Sequence, residues 1–454
     1  MSPLTYDRPD MTRPQSGRTF SWTLAAIAVL ALAIRIVYIF EFRQHLHFGG
    51  DAFVYHAGAN LLADGKGFIW PFAPERAIPT SAHPPLYTLY LAVPSVFGFT
   101  SVLTHLIWSA VLGTATVVVV GLIGREVGGV RTGLIAAVIA AISPNLWVPD
   151  GSLMAETMAM FATSLAVYFA VRYWRDPRWR WLAWVGVAGG LGALSRSELV
   201  LLIPLLVIPL AVFAPGPTRR NRVRAMAGAI AAGVVVMTPW LVFNLSRFEK
   251  PELLSTQFGA LLASTNCDLV WKGETKSYYS VVCADNVRKR SLRPGDDESV
   301  QDAAYRRAGI DYVSNHLSEL PGVVVARLGA VVGMYQPETQ INLDSAIEGR
   351  ERPIARIGLY SFQALALVSI AGAIVLRVRR QAPVFPLVVP VVTVVVTVTT
   401  GYASTRFRAP AEVVLCVLAA VALEVLARRV GSKRKTDTIR GQAGRSDLAS
   451  GPGS

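Results

Sequence analysis

The side chains through which this sequence can do chemistry are Asp51, Tyr55, His83, Glu156, Arg196, Glu198, Arg406 and Arg408. The set mixes carboxylates with guanidiniums. A carboxylate can take a proton from an attacking hydroxyl. A guanidinium grips phosphate through parallel hydrogen bonds and stabilises a departing phosphate. Together they suit transfer of a group from a lipid phosphate carrier to an acceptor hydroxyl. Asp51 and Glu156 are the candidate catalytic pair, and the other six are candidate substrate contacts. Plainer readings stand beside these. Asp51 and Glu156 could cap helices, and Arg196 with Glu198 could close a turn as an ion pair. Arg406 and Arg408 could be interface anchors whose heads reach water. His45, His47, Asp51, His56 and His83 also make a conceivable divalent-metal set, although their spacing fits no strong zinc pattern. A divalent metal is therefore the one cofactor the residues admit, and nothing requires it.

Asp51 needs an element to hold it. The stretch Gly49 to Gly65 reads as a short amphipathic helix. Phe53, Val54, Ala57, Leu61 and Leu62 share one side, with Asp51, Tyr55 and Asp64 largely on the other. Asp64-Gly65 is a helix stop. Such a helix lies in a membrane interface with its apolar side in lipid. Asp51 then stands at the mouth of a bundle of spans.

The rest of the chain supplies that bundle. Of 454 residues, 52% are hydrophobic and only 16% are charged, where a soluble domain carries about 25% charged residues. Several apolar runs approach or exceed the roughly 18 residues that mark a transmembrane helix. The expected class is an all-α integral membrane protein. The net charge of +14 comes from arginine clusters between apolar runs. That is the positive-inside pattern, with contacts to anionic membrane lipid and no nucleic-acid partner.

Ten spans place every arginine-rich short loop on one side: 20–40, 102–124, 131–148, 157–173, 181–194, 199–213, 225–244, 354–376, 383–400 and 411–427. Arg35, near the outer end of the first, is expected to snorkel to the interface. The organisation that follows has a disordered cytoplasmic tail over 1–19 and a transmembrane module over 20–244, whose first outer loop, 41–101, holds the Asp51 helix and a second interfacial helix over 86–97. An outer loop domain follows over 245–352, with a helix near 299–318 and an apolar segment, 321–335, that dips into the interface. The last spans occupy 353–430, and a basic, disordered tail covers 431–454. Cys267 and Cys283 share the outer polar domain and could form a disulfide if that domain faces an oxidising compartment.

The order of these motifs resembles the GT-C superfamily of polyprenyl-phosphate-sugar-dependent glycosyltransferases, and within it the protein O-mannosyltransferases and lipid A aminoarabinose transferases. That family carries an acidic residue at its first outer helix, as at Asp51, then a stretch like Pro84-Pro85-Leu86-Tyr87. Its Ser-Pro turn is matched by Ser143-Pro144, with Glu156 in the place of the acidic residue that follows. Its basic turn after span five is matched by Arg196, and its last outer turn by Arg406-Phe407-Arg408-Ala409-Pro410. The resemblance covers residues 20–215 and, more loosely, 400–427. One position departs: the family's paired Asp-Glu is Asp51-Ala52 here.

The resemblance implies a GT-C bundle in a plasma membrane, multi-pass, with its active site on the extracytoplasmic face. It implies a polyprenyl-phosphate sugar donor and a glycan, lipid or protein acceptor. Asp51 would be the general base of an inverting transfer, Glu156 its helper, and Arg196, Arg406 and Arg408 the phosphate grip. The rival reading is a transporter or lipid flippase of ten spans. It expects charged groups at mid-membrane and related halves, and the sequence shows no obvious repeat.

Overall fold

The computed structural model describes residues 14–43, 49–273, 276–379 and 382–449. Residues 1–13 and 450–454 of the expected tails lie outside this range, as do His45 and His47. The described chain is helical throughout, its one β feature an isolated bridge between Ile69 and Pro79. In order the helices are α1 (Pro14–Tyr38), α2 (Gly50–Ala63), α3 (Leu86–Val96), α4 (Val102–Gly128), α5 (Val130–Ile142), α6 (Pro144–Trp147), α7 (Glu156–Arg175), α8 (Trp179–Ala193), α9 (Leu202–Phe213) and α10 (Arg219–Leu245). The loop region holds α11 (Gln257–Thr265), α12 (Asp268–Trp271), α13 (Val281–Ser291), α14 (Glu298–Asn315), α15 (Leu320–Val331) and α16 (Pro337–Glu348). The chain closes with α17 (Arg352–Arg379), α18 (Phe385–Thr400) and α19 (Ala409–Ala449).

Five of the helical stretches are long and apolar enough to cross a membrane: Gly17–Arg43, Val102–Gly128, Arg219–Leu245, Arg352–Arg379 and Thr405–Val430. Of the other expected spans, 131–148, 199–213 and 383–400 fall on shorter apolar helices, 157–173 on the 20-residue α7 and 181–194 on the 15-residue α8. Proline explains one case. Expected as a single span over 131–148, the chain stops its helix at Ile142 and restarts at Pro144, because proline cannot donate to the helical ladder. The tail over 431–454, expected to be disordered, is helical as far as Ala449. Its Arg, Lys, Gln and Ala residues are good helix formers, so the last span simply continues.

Two helix groups make the bundle. One core joins α1, α4, α5, α7, α18 and α19 through residues such as Leu24, Val120, Ala137 and Val417. The second joins α7 to α8, α9 and α10. There α8 and α10 run so close that Gly186 lies against the carbonyl of Ala229, with no room for a Cβ. A third cluster seats α2 and α3 on α4 through Tyr55, Ala59, Tyr87, Leu91 and Leu106. The Tyr55 side of α2 therefore faces the bundle, while Phe53, Val54 and Ala57 stay part-exposed. The segment 245–352 is built from short helices, one of them the expected helix near 299–318, and Cys267 is bonded to Cys283 within it.

Arg35 corrects an expectation. It does not snorkel but is 1% exposed, and its Nε donates to Asp150 Oδ2 at 2.6 Å. It also donates to the carbonyls of Ala31, Gly113 and Leu146. Asp150, fully buried, takes a further bond from the Thr157 hydroxyl at 2.7 Å and lies against Gly113, where a side chain would not fit. A buried charge persists when it is paired and its remaining bonds are satisfied. This pair ties α1 to α4 and to the turn that leads into Glu156.

Arg35→Ala leaves Asp150 buried without its counter-charge. The expected loss of stability is about 3–5 kcal/mol, measured by denaturation of the detergent-solubilised chain. Replacing both partners, as Arg35→Met with Asp150→Leu, is expected to recover much of it. A single variant as stable as the wild type would show that the pair carries no structural load.

Candidate active site

Asp51 lies in the first turn of α2, and the capping position is Gly49, which makes no side-chain cap. Arg406 Nη1 donates to Asp51 Oδ2 at 2.8 Å, and His83 Nε2 lies 3.4 Å from Asp51 Oδ1. The carboxylate is 34% exposed, so a substrate can reach it. Burial alone would raise its pKa. The charges of His83 and Arg406 and their hydrogen bonds outweigh that, and hold the carboxyl well below the usual carboxylate range. The His83 ring rests on Tyr55, centroids 4.8 Å apart, and Tyr55 meets Tyr87 edge-on at 5.1 Å. Tyr55 is 4% exposed; it is the floor under His83 more than an open contact.

Arg406 is the centre of the site. It sits in the 3-10 turn Thr405–Arg408, just before α19. Besides Asp51 it faces Glu156 Oε1 at 3.6 Å and Glu348 Oε1 at 3.4 Å. Its Nη2 donates to the Tyr402 hydroxyl at 3.2 Å. Glu156, the first residue of α7, has a side chain 2% exposed and is also held by Arg196. Arg196 Nε donates to Glu198 Oε1 at 2.6 Å, and its guanidinium lies 4.7 Å over the Phe407 ring. The ion pair closes the turn, and the same arginine reaches Glu156.

Glu348 and Arg350 belong to the site and were not singled out from sequence. Arg350 Nε lies 3.0 Å from Glu348 Oε2, and its Nη1 donates to the Thr405 hydroxyl at 3.1 Å. That hydroxyl donates in turn to Asp344, and Ser404 Oγ donates to Glu348 Oε1 at 3.1 Å. Burial raises the Glu348 pKa, and Arg350 opposes the rise. The available signal was the dense charge run Glu348-Gly349-Arg350-Glu351-Arg352 directly before a span.

Two expected members do not join. Arg408 is 2% exposed and points away: its Nε donates to Glu412 Oε1 at 3.1 Å, its Nη1 to the Val331 carbonyl at 3.1 Å, and its charge sits 4.0 Å over Phe362. Two residues along a 3-10 turn put a side chain on another side of the chain from Arg406. His56, in the conceivable metal set, faces His105 instead, ring nitrogens 2.9 Å apart. Among the described residues no three His, Cys, Asp or Glu side chains converge as a metal-binding group. Arg406 occupies the place between Asp51, Glu156 and Glu348 that a cation would need.

Comparison with known proteins follows the same lines. Residues 82–243 match the family model described as dolichyl-phosphate-mannose-protein mannosyltransferase. The match includes His83, Glu156, Arg196 and Glu198 and leaves out Asp51 and Arg406. No curated protein matches the chain. The fold is similar to the oligosaccharyltransferase AglB of Archaeoglobus fulgidus, solved with an inhibitory peptide and a dolichol-phosphate: 18% identity, TM-score 0.55, covering 94% of this chain and 52% of that one. An apo structure of the Archaeoglobus fulgidus oligosaccharyltransferase gives 15% identity and TM-score 0.54, over 92% of this chain and 52% of that one. ArnT of Cupriavidus metallidurans, bound to undecaprenyl phosphate, gives 13% identity and TM-score 0.41, over 87% and 77%. The chain thus spans about half the length of the archaeal enzyme, and the likeness is one of fold. The family match and the archaeal fold agree with the GT-C resemblance read from the sequence motifs.

Arg408→Ala is expected to lower thermal stability, because it leaves Glu412 buried and unpaired, and to leave affinity for polyprenyl phosphate unchanged. A variant of normal stability with weakened lipid binding would return Arg408 to the site.

Proposed function

We propose that this chain is an integral-membrane glycosyltransferase that moves a sugar from a polyprenyl-phosphate donor to an acceptor hydroxyl. The observation that carries this is convergence. Asp51, Glu156, Arg196 and Arg406 come from separate turns of the chain, up to 355 positions apart, and meet at one partly open point. The matched family is described as using dolichyl-phosphate-mannose, and AglB was solved with a dolichol-phosphate. Both point to a lipid phosphate as the donor's carrier.

Sidedness follows from charge. With ten spans the arginine-rich turns fall on the cytoplasmic side, and the site turns fall on the outer face of the plasma membrane. The bond between Cys267 and Cys283 agrees with an oxidising compartment on that side.

In the resting site Arg406 is engaged by three carboxylates, so a donor phosphate must compete for it. A phosphate that draws Arg406 off Asp51 strips that carboxylate of a counter-charge and raises its basicity. Asp51 then takes the proton of the acceptor hydroxyl. The acceptor oxygen forms a bond to the anomeric carbon from the face opposite the phosphate. The bond from that carbon to the phosphate oxygen breaks, and its electron pair leaves with the phosphate. The configuration inverts. Arg406 and Arg196 meet the charge that develops on the leaving phosphate, and Glu156 holds both guanidiniums in place.

Transfer is to be assayed with purified chain against a panel of polyprenyl-phosphate sugars. Asp51→Asn keeps the size of the side chain and cannot take the proton. It is expected to fold and bind the lipid yet transfer sugar at least about a hundredfold more slowly. Near-normal turnover by this variant on the true donor and acceptor would overturn the mechanism.

A further inference from the structure

Two adjacent tyrosines beside the site are used differently. Tyr278 is 2% exposed and packs edge-on to Tyr402 at 5.3 Å, inside an apolar cluster with Val398, Phe407 and Ala411. Tyr279 stacks on Tyr278 at 4.9 Å and leans on Tyr402 at 4.8 Å, but its ring stays part-exposed. Its hydroxyl makes no hydrogen bond among the described residues, in contrast to Tyr402, whose hydroxyl is taken by Arg406. Yet that free hydroxyl lies in the field of Arg406, Asp51 and Glu348, with burial the larger influence on it.

The backbone presents Tyr279 on purpose-built footing. Ala403 N donates to the Ser277 carbonyl at 2.7 Å, which joins the tyrosine turn to the turn that carries Arg406. Ser280 N donates to the Ser264 carbonyl at 2.9 Å. Ser277 itself is buried and holds φ at +90°, a conformation that non-glycine residues rarely adopt. Just beyond, Cys283 is fixed to Cys267. A turn pinned at so many points, with one aromatic face and one hydroxyl left unspent next to the reacting groups, is a contact surface.

We infer that Tyr279, braced by Tyr278 and Tyr402, is a sugar-contact residue: its ring takes the C–H face of a pyranose and its hydroxyl one of that ring's oxygens. This inference rests on the glycosyl-transfer reading above and deepens it. A pyranose is apolar across one face and polar around its edge, which matches an exposed aromatic ring beside charged groups. The pyranose can be the donor's sugar or the acceptor's. In either case Tyr279 adds a sugar-specific part of the binding that the phosphate grip cannot supply.

The test measures binding and so stands apart from turnover. The solubilised full chain is titrated with polyprenyl phosphate, with polyprenyl-phosphate mannose, and with methyl mannopyranoside in the presence of polyprenyl phosphate. Tyr279→Ala is expected to weaken one of the two sugar probes by about two- to tenfold and to leave bare polyprenyl phosphate unchanged. Loss on the lipid-linked sugar assigns the donor side, and loss on the methyl glycoside assigns the acceptor side. Tyr279→Phe, which keeps the ring, should retain most of the affinity. Unchanged affinity for both sugar probes, or an equal loss on bare polyprenyl phosphate, would overturn the assignment. If instead Asp51→Asn turns over normally while Tyr279→Ala still loses sugar affinity, the transfer mechanism fails and the sugar contact stands.

Discussion

The site depends on one guanidinium held among three carboxylates. Asp51, Glu156 and Glu348 come from α2, α7 and the end of α16, and each would repel the others in a partly buried place. Arg406 makes their approach affordable by standing between them. The arrangement explains why Asp51 stays ionised despite its burial, and why Glu348, braced by Arg350, is drawn into the same cluster from a distant part of the chain. It also sets the chemistry. A site whose positive charge is already shared by carboxylates does not present a bare phosphate pocket, and on the proposed mechanism a donor phosphate must displace one of them.

Everything around this contact serves to hold it. The Arg35–Asp150 pair fixes the turn before Glu156 by bonding α1 to α4 and to Thr157. The Asp344–Thr405–Arg350 bonds fix the 3-10 turn that aims Arg406. Arg408, two residues on, is spent on Glu412 and the Val331 carbonyl, anchoring that turn to α15 and α19. These polar contacts are worth most where water is scarce, and they are costly to leave half-made. A similar fold in the archaeal oligosaccharyltransferase, at 18% identity, shows that this helix arrangement tolerates wide change in sequence.

Much of this was legible in the sequence, because the relevant signals are local. The α2 helix, its carboxylate and the Pro84-Pro85 entry to α3 all follow from composition and spacing within a dozen residues. Asp51, His83, Glu156, Arg196, Glu198 and Arg406 do meet. What failed depends on direction and partner. Arg35 and Arg408 look like interface arginines in sequence, and only the fold shows that Asp150 and Glu412 are there to neutralise them. Glu348 and Tyr279 were hidden in a stretch read as a separate outer domain, although the chain returns both to the Arg406 turn. Span count was limited by the same cause: α5, α9 and α18 are short apolar helices whose length does not by itself say whether they cross.

The central claim is that Asp51 and the donor phosphate compete for Arg406. It is tested most directly by the affinity of polyprenyl phosphate for the wild type, Asp51→Asn, Arg406→Gln and the double variant, measured by titration at fixed ionic strength. The account predicts that Asp51→Asn binds polyprenyl phosphate more tightly than the wild type, that Arg406→Gln binds it more weakly, and that the gain from Asp51→Asn disappears when Arg406 is absent. Unchanged or weaker binding by Asp51→Asn, or a gain that persists without Arg406, would contradict it.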